Sequence, residues 1–227
     1  MLKFTAKQII FTLLIASNIF SLNVQAEENN STTTNSKKST SILQAIISLF
    51  KSPESRFISR GDDLCLISPT NSEAQLIWSD RPLFIWQGDT SQTEINLYPA
   101  ANNNPQDQQP MWTEIVPSNT KTLIYTGEQL QPGNTYDWEL IADGNTYRQS
   151  MQLMEQPQRE AITTELTTLT TQLQTDGATA EDIAIAKADY FVNQQLGSDA
   201  LQELYSVENP SANLAEQITN IEQHLCK

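Results

Sequence analysis

The pattern of apolar residues changes its period once along this chain, close to Pro157. From Leu64 to Met154, short runs rich in Ile, Leu, Tyr, Trp and Thr are separated by clusters of Pro, Gly and Asn. That spacing is typical of an all-β sandwich. Beyond Pro157, apolar residues recur every three or four positions, as on one face of an α-helix. We therefore expect an α+β protein in which an antiparallel β-sandwich is followed by a small all-α domain.

The first part is predicted to contain eight strands. The alternation is clearest near residue 138, where Tyr136, Trp138 and Leu140 share one face and should be buried. Asp137 and Glu139 then face outward. The predicted strands lie near residues 64–67, 75–78, 83–87, 93–98, 111–116, 121–126, 135–142 and 146–154.

The second part is predicted to contain about four short helices. Four Ile or Leu residues between positions 162 and 173 form one stripe, which ends at Asp176-Gly177. Thr179, with Asp182 three positions later, predicts a capped start for the second helix. The third is expected to begin at Ser198 and the fourth at Asn209-Pro210, where Pro lies in the first turn.

Two segments of the first part carry a family resemblance. Residues 81–86, RPLFIW, and residues 130–138, LQPGNTYDW, resemble a fibronectin type III domain, and the match covers roughly residues 63–154. The resemblance implies that Trp86 fills the core of an Ig-like sandwich. It also implies a corner made by Leu130, Gly133 and Tyr136, in which the tyrosine hydroxyl bonds back to the backbone. The family is a scaffold, so no catalytic residue is carried over.

A wider resemblance runs from about Ser59 to the end of the chain. Residues 59–69, SRGDDLCLISP, residues 78–82, WSDRP, and the tail around 198–201, SDAL, are similar to uncharacterised exported proteins of cyanobacteria. In that group an Ig-like sheet domain precedes a few helices, and no activity is assigned. The resemblance thus implies the same architecture and leaves the function open.

The N-terminus has the features of a signal peptide. Lys3 and Lys7 precede an apolar stretch from Ile9 to Val24, and small or modest residues lie at Val24-Gln25-Ala26. An uncleaved anchor is the alternative, but about 20 strongly apolar residues are needed to span a bilayer and polar residues interrupt this stretch. We expect residues 1–26 to be removed and the protein to be exported, to the periplasm or the cell surface.

A tether is expected over residues 27–58. Residues 27–40 contain no apolar side chain, and such a segment is expected to be disordered. The apolar residues of 41–51 then predict a short amphipathic helix, which Ser41 could cap. With lysines nearby, this helix could make weak contact with a membrane, dock on a partner, or pack on the protein's own body. The sandwich is expected over 59–156 and the helical domain over 157–227.

The chain contains two cysteines, Cys65 and Cys226. Thiols in an oxidising compartment tend to pair, so export predicts a disulfide between them. Such a bridge would close about 160 residues and contribute roughly 5 kcal/mol on the chain-entropy model. The alternative is a pair of buried free thiols.

Charge and motif content narrow the function. The chain has 27 acidic and 13 basic side chains, and an acidic surface repels phosphate backbones, so nucleic acid is not an expected partner. The single histidine, His224, has no nucleophile motif around it. The two cysteines and His224 are too few for a typical zinc site, and no cofactor motif is present. Catalytic, metal and cofactor residues are therefore not expected.

The most consistent interpretation is an exported, non-enzymatic binding or assembly module that acts through protein–protein contacts. Its contact surface is expected on a sandwich face, a helical groove or the polar loop 99–110, where Asn103, Asn104 and the following Trp112 are candidate binding residues. A carbohydrate-binding or cell-wall-associated module is the alternative, with Trp112 stacking on a sugar. A hydrolase using Asp137 and Glu139 as paired acids is a third hypothesis.

Overall fold

The computed structural model describes residues 42–50, 64–69, 75–100 and 109–226. These ranges contain eight strands and five helices. The strands are β1 (Cys65–Ser68), β2 (Gln75–Ile77), β3 (Leu83–Gln87), β4 (Gln92–Pro99), β5 (Trp112–Pro117), β6 (Thr122–Ile124), β7 (Thr135–Ala142) and β8 (Asn145–Leu153). The helices are α1 (42–50), α2 (Gln156–Thr175), α3 (Ala180–Asn193), α4 (Gly197–Tyr205) and α5 (Ala212–Leu225).

The strands form two sheets. One contains three strands in the order β1-β3-β6, and the other contains five in the order β2-β8-β7-β4-β5. Every pair is antiparallel except β2 with β8. All eight strands lie at their predicted positions, and β3 and β7 have the predicted bounds. The mixed α+β class is therefore confirmed.

The two sheets share one hydrophobic core, which gives a sandwich-like arrangement. Trp86 and Trp138 are fully buried, and Leu130 and Tyr136 are 1% and 3% exposed. Phe84 of the three-stranded sheet lies against Trp138 of the five-stranded sheet, with ring centroids 4.8 Å apart. Burial of each such side chain contributes about 1.5–3 kcal/mol, so these residues hold the sheets together as predicted.

The corner before β7 has the geometry that the resemblance implied. The backbone N–H of Gln131 donates a hydrogen bond of 2.8 Å to the hydroxyl of Tyr136. Gly133 adopts a φ of +79°, and a Cβ atom there would lie 2.6 Å from the Glu155 carboxylate. A side chain at position 133 would therefore face both backbone strain and a clash.

Substitution of Tyr136 tests this corner. Tyr136→Phe keeps the buried ring and removes the acceptor for the Gln131 N–H, so we expect a loss of about 1 kcal/mol in the free energy of unfolding. Urea unfolding followed by tryptophan fluorescence measures this loss. An unchanged midpoint with an unchanged slope would show that the bond contributes nothing to stability.

A second core lies on the other side of the three-stranded sheet. Ile67 of β1 and Ile85 of β3 belong to the same buried cluster as Phe191 of α3 and Leu201 of α4. Their neighbours along the strands, Leu66 and the residues on either side of Ile85, point into the core between the sheets. The described residues thus form three layers: the five-stranded sheet, the three-stranded sheet and the helices.

Helix α1 belongs to this helical layer. Its apolar side chains Ile42, Leu43, Ile46 and Ile47 are between 0% and 9% exposed and lie in the cluster formed with α3, α4 and α5. The segment expected within the tether therefore packs on the protein's own body, and its apolar face is not available to a membrane in this arrangement. Ser41, its predicted cap, and the rest of the tether lie outside the described residues.

Two of the predicted helix starts need comment. The capping arrangement at Thr179 is confirmed, because its hydroxyl accepts from the Asp182 N–H at 3.1 Å and the Asp182 carboxylate accepts from the Thr179 N–H at 3.1 Å. The predicted start of the last helix at Asn209-Pro210 is wrong. Helix α5 begins at Ala212 because the Ser211 hydroxyl accepts from the Leu214 N–H at 3.2 Å, and this side chain is the cap.

The disulfide joins the first strand to the end of the last helix. Cys65 and Cys226 are bonded, with their Cα atoms 5.7 Å apart and 161 positions separating them. The predicted pairing is therefore confirmed and the alternative of two free thiols is wrong. No helix among the described ranges is long and apolar enough to cross a membrane.

Candidate binding surface

Strand β5 lies at an edge of the five-stranded sheet, with β4 on one side and no strand of the described chain on the other. It has six residues, whereas the other edge strands β1, β2 and β6 have four, three and three. An edge strand presents unpaired backbone N–H and C=O groups that can pair with another polypeptide. The longest such row in the described structure is on β5.

Two large apolar side chains are exposed on β5 or directly before it. Ile115 is 54% exposed, the highest value among the exposed large hydrophobic residues, and Met111, directly before the strand, is 40% exposed. Val116 and Trp112 point instead toward the core between the sheets. Beside the unpaired backbone, Ile115 and Met111 offer apolar surface to a partner.

Strand β5 also lacks most of the features that protect sheet edges from pairing. It contains no lysine, its register with β4 is continuous, and its proline, Pro117, lies at the last position. Its charged residue is Glu114, and β4 adds Glu94 directly across from Ile115. Neither strand carries a basic side chain. Among the described residues, the edge is therefore unpaired, partly apolar and acidic.

A hydrogen-bonded network on the outward face of the sheet connects β5 to its neighbour β4. The Thr113 hydroxyl donates to Asn96 Oδ1 at 2.5 Å, and the Asn96 amide donates to Glu94 at 2.8 Å. Further along this face, Arg148 forms an ion pair with Glu139, which is 6% exposed. These side-chain contacts link β4 to β5 and β7 to β8 on the outward face.

The two acids considered for a hydrolase lie on this face as predicted, but both carboxylates are engaged. Glu139 accepts from Arg148 and from the Tyr98 hydroxyl, which lies 3.1 Å away, and Asp137 accepts from the Ser150 hydroxyl. Burial and the bond to Glu139 raise the pKa of Tyr98. Arg148 balances the charge of Glu139, and hydrogen bonds orient both carboxylates within the sheet.

The candidate aromatic residue Trp112 is half-buried. Its ring stacks on Phe84 with centroids 6.0 Å apart and meets the edge of Tyr125 at 5.1 Å. The other three tryptophans are buried or half-buried as well, so the tryptophans form no exposed line. Asn103 and Asn104 lie outside the described residues.

The single histidine lies on the last turn of α5. Its Nδ1 atom is 2.7 Å from the Asn220 carbonyl oxygen, and the side chain is exposed. The described residues contain no group of three or more His, Cys, Asp or Glu side chains placed to hold a metal ion.

The sequence analysis missed one buried carboxylate. Asp199, in the first turn of α4, is 3% exposed and accepts the N–H groups of Trp78 and Ser79 at 2.9 and 2.8 Å. Burial raises its pKa to about 6, although the two N–H bonds oppose this shift. From the sequence, an acid at a helix start suggests a cap, and only the folded chain shows that it joins α4 to the segment between β2 and β3.

Further polar contacts near Asp199 also connect the helical layer to the sheets. The Gln202 side chain accepts from the Leu83 N–H at 3.2 Å and donates to the Arg81 carbonyl at 3.1 Å. Arg159 of α2 donates to the Trp78 carbonyl and pairs with Asp80 at 2.8 Å. The helical layer is thus fixed to the sheets through polar contacts as well as the disulfide.

No protein-family model, curated protein or solved structure matches this chain.

Proposed function

We propose that this chain is an exported, non-enzymatic binding module of the periplasm or cell surface that holds an extended polypeptide segment along strand β5. The observation that carries the proposal is the open six-residue edge with Ile115 54% exposed. Addition of a strand to such an edge supplies main-chain hydrogen bonds, while side chains on alternate positions give specificity.

The charge of the edge indicates the kind of partner. Glu94 lies across from Ile115 on the same face of the sheet, whereas Glu114 lies on the opposite face of β5. Neither β4 nor β5 carries a basic residue that would balance these acids. The whole chain carries a formal net charge of −14. A partner strand with basic side chains next to small apolar ones would complement both the acids and the exposed isoleucine.

The fibronectin type III-like identity of the sandwich supports a scaffold role and belongs to this proposal. Its support comes from the buried Trp86 and from the bond between the Tyr136 hydroxyl and Gln131. Export is supported by the predicted signal peptide and by the disulfide, because such bonds persist in oxidising compartments. A cell-wall glycan remains the alternative partner, but the tryptophans offer no exposed stacking line to a sugar.

A photo-crosslinking amino acid tests the proposal in the exporting cell. Placed at position 115 it should give a protein adduct, whereas at position 124 it should give none. Ile124 is a matched control, because it is 47% exposed and lies on β6, an edge strand of the other sheet. In the purified protein, Ile115→Lys should weaken capture of the adduct partner at least tenfold, and Ile124→Lys should leave it unchanged.

Two results would contradict the proposal. Equal adducts at positions 115 and 124 would show that contact is not specific to β5. Absence of an adduct, together with retention of the purified protein on cell-wall glycan, would favour the carbohydrate-binding alternative.

A further inference from the structure

The helical layer contains a groove that is filled by α1. The buried cluster that encloses α1 is drawn mainly from three helices that follow one another in the chain, α3, α4 and α5. Their members are Ala188, Phe191, Leu196, Ala200, Leu201, Leu204, Leu214 and Ile221. The same cluster also includes Ile162 and Leu166 of α2, Ile67 of β1, Ile85 of β3 and Met154. The helix that fills the groove comes from the other end of the described chain and precedes every strand.

The groove is shaped to fit this helix closely. Gly197 lies under the Phe50 ring, and a Cβ atom at position 197 would be 2.8 Å from that ring. Ala188 and Ala200 are both fully buried, and their small side chains likewise leave room for α1. On α1, Ile42, Leu43, Ile46 and Ile47 form one continuous buried stripe, whereas Gln44 is exposed. This pairing is the helix-in-groove mode of peptide recognition.

The walls of the groove are assembled without help from α1. The disulfide joins the end of α5 to β1, and Asp199 joins the start of α4 to Trp78 and Ser79. Helix α3 packs on α4, with Lys187 and Glu203 paired at 3.0 Å. None of these contacts involves residues 42–50, so none of them is lost when α1 leaves the groove.

The connection from α1 to β1 is long enough for α1 to reach the groove of a neighbouring molecule. Thirteen residues, 51–63, separate the helix from the first described residue before β1. A chain of that length spans at most roughly 45 Å. A nine-residue helix is also marginal in water on its own, so α1 gains its helical form by docking, whichever copy supplies the groove.

From these observations we infer that the groove between α3, α4 and α5 is a helix-binding site, and that it accepts residues 42–50 from a second copy of this chain in exchange for its own. The protein thereby has an assembly surface separate from the β5 edge. Copies linked in this way exchange a helix and bury the same side chains as the single copy does.

Two full-length variants with complementary defects test the exchange. Ile46→Asp places a charge in the buried stripe and leaves a vacant groove, whereas Gly197→Leu obstructs the groove and leaves an intact α1. Each variant alone should sediment as a monomer, and an equimolar mixture should form a complex of twice the monomer mass. Gln44→Asp, which adds the same charge at the exposed position, should behave as the wild type.

A peptide of residues 41–51 provides a second measurement that does not depend on the folding of Gly197→Leu. The labelled peptide should bind the Ile46→Asp chain at least tenfold more tightly than the wild type, whose groove is filled. The peptide carrying Ile46→Asp should bind at least tenfold more weakly. Equal binding to both chains, or no saturable binding, would overturn the inference.

Vesicles of phosphatidylethanolamine and phosphatidylglycerol test whether α1 binds a membrane instead of the groove. The peptide should stay with the Ile46→Asp chain when vesicles are added. If it moves to the vesicles and the mixed variants remain monomeric, α1 is a membrane-binding segment and the inference is wrong.

Discussion

Replacement of Cys65 and Cys226 by alanine should lower the free energy of unfolding by about 5 kcal/mol, since the chain-entropy contribution of a disulfide grows with the length of the loop that it closes. The two cysteines are 161 positions apart, so the bond restricts almost the whole folded part of the chain. For a domain at the lower end of ordinary stability, about 5 kcal/mol, this loss would leave much of the double variant unfolded at 37 °C.

Urea unfolding of the wild type and of the Cys65→Ala/Cys226→Ala variant measures this effect. The wild type unfolded with and without a thiol reductant serves as the control, and reduction should reproduce most of the loss. Intact mass after alkylation should show no modified cysteine before reduction and two after it. An equal midpoint for both proteins would show that the loop is already restricted in the unfolded state.

Replacement of Asp199 by alanine should cost about 4 kcal/mol at pH 4. The carboxyl group accepts the N–H groups of Trp78 and Ser79 in a buried position, and each buried donor left without a partner costs about 1–3 kcal/mol. Glu216→Ala is the control, because it removes an exposed carboxylate from α5 and should change the free energy of unfolding by less than about 0.5 kcal/mol.

The difference between the wild type and Asp199→Ala should depend on pH. Burial raises the pKa of Asp199 from 3.8 to about 6 in the folded protein, so folding favours the protonated acid. The stability that this group contributes is then fully present below pH 3.8 and is lost as the pH rises through about 6. The gap between the two proteins should therefore narrow by about 2 kcal/mol between pH 4 and pH 7.

The groups that face Asp199 could modify this behaviour. Glu203, one turn along α4, raises the pKa of Asp199 further but is itself paired with Lys187. Asp80 lies next to the segment that donates to Asp199 and is paired with Arg159. Unfolding curves at pH 4, 5, 6 and 7 give the measurement. A gap that widens with rising pH would show that the carboxylate, and not the acid, is the form that the fold favours.

The strands were predictable because each carries its own pattern. In β7, alternation puts Tyr136, Trp138 and Leu140 on one face, and the structure buries all three. The disulfide was predictable for a different reason, since a chain with two cysteines allows one pairing. Both inferences depend on local chemistry or simple counting, and neither requires knowledge of how the layers pack.

The features that the sequence did not predict depend on contacts between distant segments. Asp199 resembles an ordinary acid in the first turn of a helix, and its partners Trp78 and Ser79 lie 120 positions away. The role of α1 is similar, because its amphipathic pattern fits a membrane, a partner or its own body equally well. The open edge of β5 follows from the strand order, which alternation within a strand does not reveal.

The start of α5 shows why the sequence did not predict the exact first residue of a helix. Asn209-Pro210 has the composition of a helix start, but the Ser211 hydroxyl provides the cap. The backbone N–H of Ser211 also donates to the Glu181 carboxylate of α3 at 2.7 Å. A contact with a different helix therefore decides between two adjacent start signals.

The position of the disulfide also determines how the molecule responds to tension. When a force pulls the two termini apart, it reaches Cys65 from one side and Cys226 from the other, and the covalent bond transmits it directly between them. The sheets and the helices from α2 to α5 lie within the loop and bear no load, so α1 is the one described helix that such a force can detach. The β5 edge therefore keeps its native shape under mechanical stress.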